Sequence, residues 1–278
     1  MKPVRFDYER PQNLNSALTL IAHHGLNARV IAGGQSLGPM LNLRLAQPDL
    51  LIDITGIAEL TQVTQSPDAI VVGACVTHAD IEDERVPDVT RGALPSIAHQ
   101  IAYRAVRNRG TIGGSLAQAD PAGDWISCLS AIGAAVMTRG PSGGQTVPVE
   151  DYMVRGYETV LAPDELIEAV RIPRFSEAAR FGYYKVCRKT GEFADAIGAF
   201  FDDPARSVRR AVFGATHGRP IVVGETDGLI GGKPGRDVVS LVDTAAARIL
   251  ESAGLTDPID QQIRITALRR AIALAFST

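Results

Sequence analysis

The chain has 278 residues, of which 45% are hydrophobic and 21% are charged, and its formal net charge is −3. This composition is typical of a globular protein of one to three domains, and it lacks the excess of basic residues that nucleic-acid binding requires. No segment approaches the ~18 consecutive apolar residues of a membrane helix, and the amino-terminal MKPVRFDYERPQN lacks the apolar stretch of a signal peptide. We therefore expect a cytoplasmic protein that neither binds nucleic acid nor spans a membrane.

The first part of the chain predicts helices mixed with short strands. NSALTLIAHHG places apolar residues at helical spacing and ends at Gly25, while Thr77 and Asp80 fit a helix capping box. Short buried strands are expected in ARVIAGG, PDLLIDIT and DAIVVGA. Further helices are expected in LPSIAHQIAYRAV and WISCLSAIGA, and a hairpin in AAVMTRGPSGGQTVPV.

After the hairpin, the sequence predicts strands first and helices second. The strand candidates are LIEAVRIP, RFGYYKVC, AIGAFF and VRRAVFGAT. Two amphipathic helices follow in DVVSLVDTAAARILES and DQQIRITALRRAIALAF. One face of the second helix is expected to carry Ile263, Ala267, Ala271 and Leu274. Strands followed by helices indicate a separate α+β domain that starts near Pro173.

The three cysteines, Cys75, Cys128 and Cys187, lie more than fifty residues apart. This spacing is incompatible with local ligation of an iron–sulfur cluster or a zinc ion, and it favours three small buried residues. The five histidines are also scattered, and His78 with Asp80 suits a turn or helix cap better than a metal site. The sequence therefore predicts no metal site in this chain.

Two glycine-rich segments carry the strongest indication of function, AGGQS from Ala32 to Ser36 and TIGGS from Thr111 to Ser115. Glycines allow close approach, and backbone N–H groups with nearby hydroxyls bind phosphate oxygens. A single Gly-Gly pair is more often a plain turn, and we interpret GPSGGQ and GLIGGKPG in that way. The familiar motifs G-x-G-x-x-G and G-x-x-x-x-G-K-[ST] are absent. A nucleotide would have to lie between two loops about eighty residues apart.

The segment LAQADPAGDW, which follows the second motif, carries Asp120 and Asp124. Asp124 suits the first turn of a helix, where a negative charge is favoured. Alternatively, its carboxylate accepts hydrogen bonds from ribose hydroxyls. Paired carboxylates also occur in glycosidases, but Trp125 is the one aromatic residue nearby on which a sugar could stack, so we disfavour that interpretation.

Two long segments, IAGGQSLGPMLNLRLAQPDLLIDI and AVRNRGTIGGSLAQADPAGD, resemble the FAD-binding medium subunit of the molybdenum hydroxylases, the family of xanthine dehydrogenase and aerobic carbon monoxide dehydrogenase. The resemblance extends over essentially the whole chain, including YETVLAPDELIEAVRIP and FGYYKVCRKTGEFADAIGA. It implies an α+β fold that begins with a vanillyl-alcohol-oxidase-type (PCMH-type) FAD-binding domain at residues 1–175, with subdomains at about 1–57 and 58–175. A C-terminal domain of the carbon monoxide dehydrogenase flavoprotein type, a three-stranded sheet plus helices, would occupy residues 176–278.

The resemblance also implies that FAD lies extended between the two subdomains, with both glycine motifs around its pyrophosphate. Asp124 matches an acidic residue that faces the adenosine half, Ile167 a backbone contact to adenine, and Lys185 a basic residue that reaches toward the flavin. The implied cofactor-binding residues are Ala32, Gly33, Gly34, Gln35, Ser36, Leu37, Thr111, Gly113, Gly114, Ser115, Asp124, Ile167 and Lys185. No catalytic residue for the substrate is expected in this chain.

Five further residues have weaker assignments. Ile101 and Phe193 fall where some relatives carry an aromatic residue and a tyrosine beside the flavin. At Phe193 a hydroxyl hydrogen bond would be lost and the packing kept. Arg104, Arg107 and Arg109 fit either the pyrophosphate charge or a solvated or partner-docking face. We rank these arginines behind the backbone groups of the glycine motifs.

In the family that the chain resembles, substrate is oxidised at molybdenum in a large molybdopterin subunit. Electrons pass through [2Fe–2S] clusters of a small subunit to FAD in the medium subunit, and then to an external acceptor. The implied assembly is a dimer of heterotrimers. Two alternatives stay open, a stand-alone flavin-dependent oxidase or dehydrogenase of the same fold and a non-catalytic nucleotide-binding module. No histidine or cysteine lies beside either glycine motif for a covalent flavin link, which disfavours the stand-alone oxidase.

Overall fold

The computed structural model describes residues 1–224, 228–231 and 240–277, which form three main β-sheets with helices packed around them. Residues 232–235 of the turn predicted in GLIGGKPG and residues 237–239 of the helix predicted in DVVSLVDTAAARILES lie outside the described residues. The start predicted for that helix is corrected, because Ser240–Leu241 form a short strand and the helix begins at Asp243. Within the described ranges, no helix combines the length and apolar character needed to cross a bilayer.

The first sheet is parallel and has the strand order β1-β3-β2. Its elements are β1 (Asp7–Glu9), α1 (Leu14–His24), β2 (Ala28–Ile31), α2 (Leu37–Asn42) and β3 (Leu50–Asp53). Helix α1 begins where the side chain of Asn13 accepts a hydrogen bond from the backbone N–H of Ser16, at 2.9 Å. The helix ends at Gly25, whose φ of +52° favours glycine. The predicted helix is confirmed as α1 and the strands predicted in ARVIAGG and PDLLIDIT as β2 and β3, whereas β1 was not predicted.

The second sheet has the strand order β4-β5-β10-β6-β7, and all its pairs are antiparallel. Its strands and helices, with a small ribbon formed by β8 and β9, are β4 (Val63–Gln65), β5 (Ala69–Gly73), α3 (His78–Glu82), α4 (Ala93–Gln100), α5 (Arg104–Arg107), α6 (Ile112–Gln118), α7 (Asp124–Ile132), β6 (Ala135–Arg139), β7 (Thr146–Pro148), α8 (Val149–Tyr152), β8 (Met153–Arg155), β9 (Glu158–Thr159) and β10 (Leu166–Pro173). The capping box of Thr77 and Asp80 and the hairpin of β6 and β7 are confirmed.

The helix predicted over LPSIAHQIAYRAV is interrupted. Helix α4 ends at Gln100, and Ala102 adopts a φ of +43°, which is uncommon for a residue with a side chain. The guanidinium of Arg107 donates hydrogen bonds to the carbonyls of Ile101 (2.9 Å) and Ala102 (3.1 Å). These tertiary hydrogen bonds fix the segment after α4 outside the helix, so local propensity does not decide its structure.

The third sheet is antiparallel and has the order β11-β12-β13-β14. It is followed by a two-stranded ribbon and two helices, and the elements are β11 (Arg180–Val186), β12 (Ala196–Asp203), β13 (Val208–Gly214), β14 (Ile221–Val223), β15 (Ile230–Gly231), β16 (Ser240–Leu241), α9 (Asp243–Ser252) and α10 (Pro258–Phe276). The expectation of three strands is corrected to four, because the β-branched segment of β14 extends the ladder along β13.

Two further expectations about this part of the chain differ from the structure. The strand LIEAVRIP is β10 and pairs with β5 and β6 of the second sheet, a long-range pairing that chain order does not reveal. In α10 the predicted face is displaced, since Leu274 is 46% exposed and Ile263 is half-buried. The buried face consists of Arg264, Ile265, Ala267, Leu268, Ala271, Ile272 and Ala275. Apolar residues surround much of this helix, so contact with the sheet selects the face.

Helix α7 joins the second and third sheets. All nine of its residues, Asp124–Ile132, are buried. Its Trp125 belongs to the same apolar core as Ile167 of the second sheet and Phe201 of the third. The third sheet therefore packs directly on the part of the chain that precedes it. A domain boundary at 175/176 stays a prediction.

Candidate functional site

Both glycine motifs line one cleft of about 550 Å³ beside the first and second sheets. Strand β2 leads into the first motif, and Ile167 on β10 forms part of the wall. The cleft brings together these residues of the predicted set: Ala32, Gly33, Gly34, Gln35, Ser36, Leu37, Thr111, Gly113, Gly114, Ser115 and Ile167. Ile101 and Phe193 also lie in its wall. Residues separated by about eighty positions in sequence therefore face one another.

The first motif presents free backbone donors. The N–H groups of residues 33–37 have no hydrogen-bond partner within the described ranges. Gly34 has a φ of +72°, and a Cβ at Gly33 would overlap the carbonyl oxygen of Arg109. Glycine at these two positions allows the turn and brings the first motif against the second. Consecutive N–H groups facing a cleft form a site that suits an anion.

The second motif is a helix start, and not the loop that the sequence predicted. Thr111 caps α6, and its side chain accepts a hydrogen bond from the N–H of Gly114 at 3.0 Å. The N–H groups of Ile112, Gly113 and Ser115 donate to carbonyl oxygens at 3.1, 2.9 and 3.0 Å. These amides are already paired, so the second motif offers the cleft hydroxyl groups more than N–H groups. The Ser115 hydroxyl has no hydrogen-bond partner among the residues described.

Asp124 and Lys185 lie together, but beside the cleft and not in its wall. Lys185 Nζ donates to a carboxylate oxygen of Asp124 at 2.9 Å and to the carbonyl of Gln100 at 2.8 Å. The Tyr183 hydroxyl donates to the same carboxylate oxygen, and burial followed by the Asp124 charge raises the pKa of this phenol well above its usual value. Both side chains of this pair are buried, and neither lines the cleft. Direct contact of either side chain with FAD therefore stays a prediction.

Asp120 is the residue of the two-aspartate segment that lines the cleft. It follows Ala119, whose φ of +48° ends α6, and precedes Pro121, so it remains outside both helices. The Tyr157 hydroxyl lies 3.4 Å from its Oδ2. Pro121 could have indicated from the sequence that Asp120 lies outside a helix. No local pattern predicted that Tyr157 would lie beside Asp120.

The residues of the cleft that were not selected as cofactor-binding from the sequence include four with polar or ionisable side chains. They are Arg29, His78, Tyr157 and Glu165. Arg29 is an exposed residue of β2, and its sequence context does not distinguish it from any other basic residue on a strand. The others reach the cleft through contacts that are distant along the chain.

Arg104 and Arg107 are engaged away from the cleft. Arg107 makes a two-pronged pair with Glu82 at 2.7 and 2.9 Å, and its hydrogen bonds hold the pKa of that carboxyl below its usual value. Arg104 Nη1 donates to the same carboxylate at 2.8 Å. Arg109 contributes its backbone carbonyl, which faces Gly33.

The expectation of three buried cysteines holds for two of them. Cys75 and Cys128 are buried, and burial raises the pKa of the Cys75 thiol to about 12 and that of Cys128 well above its usual value. Cys187 is half-buried, because it follows the last residue of β11 at the end of the sheet. We therefore correct the interpretation for Cys187.

Known proteins were compared with this chain and its fold. A family described as "FAD binding domain in molybdopterin dehydrogenase" matches residues 4–175. The carbon monoxide dehydrogenase medium chain of Hydrogenophaga pseudoflava is 37% identical over 70% of this chain and 68% of its own length. The caffeine dehydrogenase subunit beta of Pseudomonas sp. (strain CBB1) is 35% identical over 70% of this chain and 66% of its own length.

The structures agree over greater lengths. A chain of carbon monoxide dehydrogenase from Hydrogenophaga pseudoflava superimposes with a TM-score of 0.87 at 29% identity, covering 100% of this chain and 99% of its own. A chain of quinoline 2-oxidoreductase from Pseudomonas putida 86 gives a TM-score of 0.84 at 29% identity, covering 99% and 98%. The fold is thus shared along the full length, including the third sheet. The chain belongs to the family of FAD-binding domains of molybdopterin dehydrogenases.

Proposed function

We propose that this chain is the FAD-carrying medium subunit of a heteromeric molybdenum hydroxylase or dehydrogenase. The observation that carries the proposal is the row of N–H groups at residues 33–37, which lack partners within the described ranges and belong to residues that line a cleft shared with the second glycine motif. An unpaired row of donors next to packed glycines fits a pyrophosphate.

The residues of the cleft fit the chemistry of FAD. The N–H groups of residues 33–37 would bind pyrophosphate oxygens, with the Ser36 and Ser115 hydroxyls beside them. The carboxylate of Asp120 would accept hydrogen bonds from ribose hydroxyls, and Ile101 would supply an apolar surface for a ring. Bound FAD supplies the electron-transfer chemistry, while the protein supplies its placement and electrostatics.

The partners follow from the same proposal. Relatives carry the names medium chain and subunit beta, so they are parts of multi-subunit enzymes. We place beside this chain a small subunit with [2Fe–2S] clusters and a large molybdopterin subunit, in a dimer of heterotrimers. Electrons would enter from the clusters and leave to an external acceptor. A cytoplasmic location is supported by three cysteines that are all free.

The test is flavin analysis of the purified full chain, alone and with its co-expressed partners. We expect bound flavin that is released into the supernatant on acid precipitation and identified as FAD by chromatography. Flavin that stays in the protein pellet would instead support the stand-alone oxidase with a covalent link. A colourless complex that does not take up added FAD would support the non-catalytic nucleotide-binding module.

A further inference from the structure

His78, the first residue of α3, is a buried polar residue in the wall of the cleft. Its relative exposure is 5%. The indole Nε1 of Trp125 lies 3.1 Å from its Nδ1. Neither His78 nor Trp125 belongs to the cofactor-binding residues that were predicted with the glycine motifs.

The contact with Trp125 determines where the imidazole carries its proton. An indole N–H is a hydrogen-bond donor only, so His78 Nδ1 must be the acceptor. Burial, followed by the nearby charge of Arg107, lowers the pKa of His78 to about 4. The ring is therefore neutral near pH 7, with its single proton on Nε2.

The Nε2–H group has no acceptor among the described residues of the protein. The ring edge with Cδ2 and Nε2 faces Gly110, another residue of the cleft wall. A Cβ at residue 110 would lie 2.9 Å from both ring atoms, so a residue larger than glycine at this position would press against this edge of the ring. Its Nε2 is not one of the fully enclosed side-chain atoms without a partner among the described residues, so this donor can be reached from the cleft that His78 lines.

We infer that His78 is a cofactor-binding residue whose neutral Nε2–H donates a hydrogen bond to an oxygen of the FAD, and that Trp125 is a positioning residue that holds this donor by occupying Nδ1. The inference rests on the proposed function, since it places FAD in the cleft. The cleft would then offer the cofactor a neutral side-chain donor in addition to the backbone N–H groups of residues 33–37.

The first experiment observes the ring directly. The ¹⁵N spectrum of the ligand-free full chain, labelled at its five histidines, is compared with that of His78→Phe to assign the His78 signals. We expect a protonated Nε2 and an unprotonated Nδ1 near pH 7, and a change of the Nε2 resonance when FAD is added. A protonated Nδ1, or an Nε2 signal unaffected by saturating FAD, would overturn the inference.

The second experiment separates the two ring nitrogens by affinity. The side-chain amide of glutamine mimics Nε2, whereas that of asparagine mimics Nδ1. We expect His78→Gln to bind FAD within about threefold of wild type, and His78→Asn and His78→Phe to bind about tenfold more weakly, in titrations followed by flavin fluorescence. His99, whose side chain is 75% exposed, provides the control His99→Gln, which should leave the affinity unchanged.

The outcomes distinguish this inference from the proposed function. If the wild-type chain binds FAD and the His78→Phe variant binds it with equal affinity, the inference about His78 is overturned and the proposed function is not. If the wild type binds no FAD either alone or with its co-expressed partners, the proposed function is overturned, while the ¹⁵N spectrum would still report the tautomer. If His78→Phe does not fold, the comparison of His78→Gln with His78→Asn remains decisive.

Discussion

Asp120 and Asp124 are four residues apart, yet they occupy different environments. Asp120 lines the cleft outside any helix, whereas Asp124 starts α7 and pairs with the buried ammonium of Lys185. Removing one member of a buried ion pair leaves the other charge without compensation, which costs about 3–5 kcal/mol. The two carboxylates are therefore expected to fail in different ways when substituted.

We expect Asp124→Asn to lower the free energy of unfolding by about 3 kcal/mol through the isolated Lys185 charge. Asp120→Asn should leave stability nearly unchanged and weaken FAD binding by about 1–3 kcal/mol, because hydrogen bonds to a charged acceptor are lost. Urea unfolding and FAD titration of both variants provide the measurements. Equal stability of wild type and Asp124→Asn would contradict the buried-pair interpretation.

The pH dependence of stability contains a contribution from His78. Its pKa is about 4 in the folded chain, against 6.5 for an ordinary histidine, because of burial and the Arg107 charge. The unfolded chain binds this proton at a higher pH, so the stabilisation is complete above pH 6.5 and is lost as the pH falls toward 4. The shift corresponds to about 3 kcal/mol.

Urea unfolding of wild type and His78→Gln at pH 7 and pH 4.5 measures that contribution. We expect the wild type to lose more stability between the two values than His78→Gln, which has no ionisable side chain at this position. Identical pH slopes for the two proteins would show that the histidine is not held neutral by its surroundings.

At the scale of elements, Gly33 of the first motif and Gly38 of the helix that follows it have different functions. A Cβ at Gly33 would overlap the Arg109 carbonyl, whereas a Cβ at Gly38, within α2, would meet no atom within 4 Å. The first glycine brings β2 and α6 together, and the second lies on an open side of its helix.

We expect Gly33→Ala to separate the two motifs, lowering both the melting temperature and the affinity for FAD. Gly38→Ala is the matched control, and it should leave stability unchanged or raise it by up to about 1 kcal/mol, because alanine favours a helix over glycine. Thermal unfolding and FAD titration distinguish the two variants. A Gly33→Ala protein as stable as Gly38→Ala would contradict the close packing of the motifs.

Elements with strong local signals were predictable from sequence. Helix α1 has an Asn13 cap, periodic apolar residues and Gly25 at its end, and its structure follows these signals. The break after Gln100 depends on hydrogen bonds from Arg107, which lies on the next helix, and no local pattern indicates it. The cleft residues of the two glycine motifs were predicted, but the pairing of Asp124 with Lys185 brings together β11 and α7 and was not.

At the scale of the whole molecule, the third sheet and the part before it share an apolar core. Helix α7 is buried along its entire length, and Phe201 of β12 belongs to its core. A chain ending at residue 175 would expose this helix to water on the side that the third sheet covers.

We therefore expect the full chain to unfold in one cooperative transition that includes the second and third sheets. A fragment of residues 1–175 should bind a hydrophobic dye and lack a sharp thermal transition, because the side of α7 that the third sheet covers would be exposed. Calorimetry and dye fluorescence of the two proteins provide the comparison. A fragment that melts as sharply as the full chain would support an independently folded domain with a boundary at residue 175.

The first sheet packs in a core separate from that of α7, in which Leu18 and Ile52 cluster with Leu60 and with Leu166 of β10. The second and third sheets share a different core through α7, so a seam between the two cores separates β1–β3 from the rest of the chain. The cleft follows this seam, with residues 33–37 on one side and residues 111–115 on the other. A ligand held from both sides therefore acts as a mechanical link, and loading the chain with cofactor would stiffen the whole molecule as well as fill a site.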